Sequence, residues 1–204
     1  DLLADFLRVM GQEADKASIF ATLFNAALEG EKDAGGLVSV PFVSGETVMG
    51  VQTGFPLFLR RQNARLDVAN FMRCHIMAAF GALAAGNEAL REEGVRIDKL
   101  YGHGGIFKTP KVAQGLLAAA LEAPVTVMAT AGEGGAWGQA VAASYMVNKA
   151  EGQSLSSFLD ERVFAGMEQL TLEPDVDDVA GYRAWLADFR RANEAEKAAE
   201  AQLA

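Results

Sequence analysis

Cysteine is almost missing from this chain: Cys74 stands alone among 204 residues. A single cysteine excludes an internal disulfide framework and a cysteine cluster for zinc or iron–sulfur. Histidine is as scarce, and His75 and His103 are too few for a histidine-rich metal site. Bases fall short of acids, 18 against 27, for a formal charge of -9. A nucleic-acid binder needs a basic face, so that class is set aside. No apolar run reaches the roughly 18 residues of a membrane span, and the charged beginning at Asp1 does not read as a signal peptide. The expectation is a cytoplasmic protein with neither nucleic acid nor membrane as partner.

What is present can fill a core. Half of the residues are hydrophobic, enough for one domain of ordinary size. The spacing predicts helices over 1–10 (DLLADFLRVM) and 18–28, then a break at Gly35-Gly36 and a short strand over 37–40 ended by Pro41. Residues 44–65 read as loop. A long helix is predicted over 67–93, capped by Asp67, with Val68, Met72, Ile76, Ala79, Phe80 and Leu83 as its apolar stripe. A strand near 98–102 runs into glycines. Thr109-Pro110 then opens a helix, threonine as its cap and proline at its first position. The run 124–128 (PVTVM) is the best strand, TAGEGG a second glycine turn, and 136–147 and 154–164 are helices, the latter capped by Ser154. Beyond Pro174, a helix should dock through Tyr182, Trp185 and Phe189 and then fray. The alternation of strand, glycine turn and helix is α/β, although strands are few.

Chemistry concentrates in KLYGHGGIFKTP. A strand that ends in Gly102, Gly104 and Gly105 and feeds a helix brings backbone amides close to a ligand, because glycine lacks the Cβ that blocks approach. The stretch has neither the P-loop pattern nor the dinucleotide fingerprint. The second turn, with Gly134, Gly135 and Gly138, repeats the device. Each glycine has a plain alternative in close helix–strand packing. Two such turns separated by one helix and one strand point to a shared crevice beyond the strand ends.

The run 102–146, GHGGIFKTPKVAQGLLAAALEAPVTVMATAGEGGAWGQAVAASYM, resembles the C-terminal domain of the FGGY carbohydrate kinases. PFVSGE resembles that family's Ser–Gly–Glu loop, LDVANFMRCHIMAAFGAL its long helix, and residues 182–191 its terminal helix. The xylulokinase branch is the most similar. The resemblance implies a helix-rich C-terminal portion of an actin/hexokinase-type, ribonuclease H-like ATPase domain. It implies a nucleotide site at Gly104, Gly105, Ile106, Lys108 and Thr109, joined by Glu133, Gly134 and Gly135. His103 departs from the family's usual glycine and is read as a turn residue.

The same resemblance implies that the catalytic base, the phosphate hairpins and most sugar contacts lie upstream, on an N-terminal kinase domain that is a partner of this one. Residues 1–174 then form the nucleotide-side domain without its first strands, and 175–204 the docking helix and tail. ATP and Mg2+ are the implied cofactors, the metal held by phosphates and by residues outside this chain. The implied reaction is ATP-dependent phosphorylation of a ketopentose such as D-xylulose, with this segment inactive by itself. The alternative is a nucleotide-binding module or regulator without transfer, and a third reading makes both turns packing only. Homodimerisation is left open.

Single residues carry less. Glu46 is the one candidate on the sugar side, against an ordinary exposed loop acid. Arg60 and Arg61 are read chiefly as solvated loop arginines, Cys74 as a small packing residue and His75 as a packed histidine.

Overall fold

The computed structural model describes residues 2–129 and 131–203, without the Glu133 side chain. Thr130, the first residue of TAGEGG, lies outside the described residues. The chain opens on helices α1 (Leu2–Val9) and α2 (Lys16–Ala26). The Asp15 carboxylate caps α2 by accepting from the Ser18 amide at 2.9 Å. Strand β1 (Leu37–Val40) is buried along its whole length, as an apolar run ended by Pro41 requires.

Two expectations fail in the next stretch. Residues 44–65 are not all loop: strand β2 (Leu57–Arg60) pairs antiparallel with β1, Leu37 opposite Arg60. Four mostly exposed residues show no alternation to reveal a strand; only the partner makes it one. The long helix of 67–93 is two helices, α3 (Val68–Ala79) and α4 (Gly81–Glu92), bent by 50°. Phe80 leaves helical geometry at φ -105° and ψ 0°. A Cβ on Gly81 would stand 2.6 Å from the Phe189 ring, so the missing side chain lets that ring fill the elbow. The buried face keeps only part of the expected stripe. Ile76 and Phe80 of that stripe are buried as expected and Asn70, Arg73, Cys74, Met77 and Ala84 join them, while Val68 and Leu83 are more than half exposed. Asp67 caps α3 as expected, through the Asn70 amide at 2.8 Å.

Strand β3 (Leu100–Gly102) and strand β4 (Val125–Met128) run parallel, with helix α5 (Val112–Leu121) between them in sequence. The expected opening of α5 at Thr109-Pro110 is corrected. Residue 111 is the cap position, a lysine at φ +70° without a side-chain cap bond, and Thr109 instead closes a 310 turn, Gly105–Lys108. A further strand, β5 (Gln169–Leu172), joins β4 antiparallel to give the order β3-β4-β5. Gln114 of α5 fastens this sheet, donating to the Val125 and Leu170 carbonyls, both at 2.8 Å.

Helix α6 (Gly134–Asn148) buries no residue, and α7 (Leu155–Phe158), capped by Ser154, passes into a wider π turn. Helix α8 (Val176–Leu203) closes the molecule. Tyr182 donates to the Met77 carbonyl at 2.8 Å and the Trp185 ring N–H to that of Leu37 at 3.1 Å. Both aromatics thus bury their bodies and still satisfy their polar tips. The helix continues to Leu203 and buries Ala192, Asn193 and Glu196, so only its last turn is left to solvent. Helices dominate and strands are few, the expected fold class. Among the described residues no single helix is long and apolar enough to cross a membrane.

Candidate functional site

The two glycine turns meet. The Gly104 amide donates to the Ala131 carbonyl at 2.7 Å, which fixes the turn after β3 against the turn after β4. The stem of Lys108 lies on Gly132, where a Cβ would be 3.0 Å from Cε, and the His103 side chain lies on Gly134, where a Cβ would be 2.7 Å from its own. Parallel β3 and β4 end side by side, so their following turns share one edge of the sheet.

Packing separates the glycines that sequence could not. A Cβ at Gly102 would meet the Phe107 ring at 2.9 Å, so this glycine serves close packing, as does Gly134 beneath His103. Gly104 sits at φ +110° and ψ 173°, a conformation left essentially to glycine. Gly105 and Gly135 differ from all of these. Neither has a positive φ, and a Cβ on either meets no atom of the described residues within 4 Å.

Gly105 faces a cavity of about 720 Å³. Ile106 and Thr109 line it from the turn, and Phe20, Ala21 and Phe24 line it from α2. Lys16 and Lys108 add positive charge to this largely apolar slot. Its size and mixture of apolar wall and few polar groups suit a small-molecule site. Phe20 is 53% exposed, a large aromatic surface left open toward the turn. Sequence reasoning missed the α2 wall, although Phe20 and Phe24, one helical turn apart, fall off the face of Ile19 and Leu23. A second cavity, about 460 Å³, lies on the other side of Lys108 and is bounded by Lys111, Met128, Gly132 and Glu168.

The structure therefore gathers Gly105, Ile106, Lys108 and Thr109 around one cavity, with Gly104 fixed beside them. Gly134 and Gly135 open α6 immediately after the second turn. Glu46 is elsewhere. It bridges to Val51 through the backbone, its carboxylate accepts from the Val48 amide at 3.1 Å, and it lines neither cavity. Arg61 pairs with Asp188 rather than standing free, and Arg60 is exposed on β2. His75 lies between Phe58 and Phe71, and burial lowers its pKa. Among the described residues no three His, Cys, Asp or Glu side chains converge to hold a metal ion.

The model of the FGGY family of carbohydrate kinases, C-terminal domain, matches residues 1–147. The chain belongs to the FGGY family of carbohydrate kinases. The solved FGGY structures that it resembles include xylulose kinase from Rhodospirillum rubrum, at 21% identity and a TM-score of 0.65. That match covers 95% of this chain and 36% of that one. Ligand-bound xylulose kinase from Lactobacillus acidophilus gives 16% identity and a TM-score of 0.68, over 89% of this chain and 36% of that one. Plasmodium falciparum glycerol kinase with ADP gives 16% and 0.65, over 95% and 36%. This FGGY chain thus spans about a third of the length of these solved relatives. A comparison with curated proteins gives no match. At such identities the likeness is one of fold, that of an FGGY C-terminal domain.

Proposed function

We propose that this chain supplies the adenosine-binding face of an ATP-dependent sugar kinase whose acceptor is a ketopentose such as D-xylulose. The observation that carries the reading is Gly105. Neither its backbone nor its packing against the described residues requires glycine, yet it faces an aromatic-walled cavity of about 720 Å³. A ligand that must approach the backbone closely accounts for the missing side chain. In this reading Phe20, Phe24 and Ile106 sandwich the flat base, and Thr109 contacts base or ribose. Lys108 and Lys16 face the charge of the phosphates. Glu133, Gly134 and Gly135 border the nucleotide from the second turn, and Glu46 contacts the sugar.

Phosphoryl transfer asks a protein chiefly for positioning and for stabilisation of charge. This chain's part is to hold the nucleoside end still, so that the γ-phosphate is presented in one place. Magnesium, carried on the phosphates and on acids outside this chain, would neutralise charge there. The base that takes the sugar hydroxyl proton belongs to an upstream kinase domain. Exposed apolar residues on α1 (Leu2, Phe6 and Val9) support a covering partner of this kind. Residues 1–174 are the nucleotide-side domain and 175–204 the docking helix; the setting is cytoplasmic.

The test is sugar-dependent ADP release with D-xylulose, gluconate and glycerol in turn, alongside an ATP titration. Release that is fastest with D-xylulose is expected, and none from residues 1–204 expressed alone. Nucleotide binding without transfer to any sugar would leave only a binding module. No nucleotide binding at all would overturn the site.

A further inference from the structure

One face of α8 grips the loop 49–55. The Asn193 amide nitrogen donates to the Met49 carbonyl at 2.9 Å, and the Phe55 N–H donates to Glu196 Oε1 at 3.0 Å. One turn further on, the Glu200 carboxylate accepts from the Gln52 and Thr53 amides. Lys197 passes beside Gly50. Of these side chains, Asn193 and Glu196 are buried, at 2% and 0% exposure.

Their hydrogen bonds do not close. Asn193 Oδ1 and Glu196 Oε2 are both buried, and neither has a partner among the described residues. Residues three apart on a helix are surface neighbours. Two acceptor oxygens cannot satisfy one another, and leaving both unpaired is costly. One proton would resolve both: a protonated Oε2 becomes a donor, and Asn193 Oδ1, three residues back on the same helix, is a buried acceptor in need of one.

We infer that Glu196 carries a proton in the folded protein and donates it to Asn193 Oδ1, so that docking of the 49–55 loop on α8 is linked to that proton. The surroundings agree. Burial pushes the Glu196 carboxyl up and the Glu200 charge acts in the same sense, while the Phe55 N–H opposes them. Glu200 and Lys197 flank Glu196 on α8, and neither the loop 49–55 nor β1 carries a charged residue. On the other elements packed against α8, Glu88 is taken by Arg190 and Arg91 by Glu122, Glu92 is exposed at the end of α4, and Arg60 ends β2 opposite Leu37, followed by Arg61, which is taken by Asp188. The loop hangs from the Glu46–Val51 bridge. If Glu46 meets the sugar, as proposed above, Glu196 is a positioning residue for it. The proton itself is independent of that reading.

Two measurements test the inference on the full-length protein. In a carbon-13 titration of the glutamate carboxyls, assigned with Glu196→Gln, the Glu196 resonance should remain protonated while exposed glutamates ionise. Melting curves across pH should show Glu196→Gln matching the parent in acid, because its amide can donate to Asn193 and accept from Phe55. The parent should fall behind the variant as pH rises, whereas Glu196→Ala should be weaker than both in acid. A Glu196 carboxyl that titrates together with the exposed glutamates, as a water-bridged carboxylate would, overturns the inference. So does a Glu196→Gln variant as unstable as Glu196→Ala in acid.

Discussion

The Gly104 amide and the Ala131 carbonyl, 2.7 Å apart, join the two glycine turns into one rim. Residues 27 apart in sequence thereby act as a unit, and the consequences differ from one glycine to the next. Gly104→Ala should cost about 1–3 kcal/mol of stability, because its backbone at φ +110° suits glycine alone. Chemical denaturation of the variant measures this.

Gly105→Val should leave the fold nearly intact, since a Cβ there meets nothing among the described residues. ATP affinity should nevertheless fall at least tenfold, about 1.4 kcal/mol, if the nucleotide occupies the facing cavity. A folded variant with unchanged affinity would refute the adenosine assignment. Calorimetric titration beside a melting curve gives both numbers.

Thr109→Ala provides a separate test. The structure places the cap of α5 at Lys111, so loss of the hydroxyl should change stability by no more than about 0.5 kcal/mol. A loss of ATP affinity with unaltered melting would assign Thr109 to the ligand. A loss of about 1 kcal/mol in stability would restore a capping role.

Glu122 sets an acid limit on stability. Arg183 and Arg91 grip its carboxylate, and their hydrogen bonds hold its pKa at about 2 against an ordinary 4.5. A lowered folded value gives stability that is present above about pH 4.5 and is lost as pH falls toward 2. Glu122→Gln should therefore cost about 1–2 kcal/mol at neutral pH, given the exposed arginines, and almost nothing near pH 2. Melting curves of both proteins across this window decide it.

Asp178 completes a buried charge. Arg73, with 3% of its side chain exposed, pairs with it at 2.5 Å. Asp178→Ala should destabilise by about 3 kcal/mol or more, because the guanidinium stays buried without its partner. Arg73→Met, which removes the buried charge altogether, should cost less. Equal losses in urea denaturation would contradict this account. Cys74 offers a simpler check. Burial pushes its thiol up to about 12, so a thiol reagent at pH 8 should label it only after unfolding.

Much of this protein could be read from local sequence. The Asp67 cap, the Pro41 stop, the apolar run of β4 and the docking aromatics Tyr182, Trp185 and Phe189 each act within a few residues. Such features are set by backbone sterics, capping and periodicity, which sequence displays directly. The family, too, was legible, because its glycine turns keep order and spacing along the chain. Tertiary structure decided the rest. Strand β2 exists through its pairing with β1, and the elbow at Phe80 through the Phe189 ring that arrives from more than a hundred residues away. The lysine at 111 displaced Thr109 as the start of α5. The wall of Phe20 and Phe24 gained meaning only when Gly105 was brought opposite. Whether a glycine packs, turns or makes room depends on the atoms that surround it in space. A sequence names the missing side chain; only the folded neighbours show what takes its place.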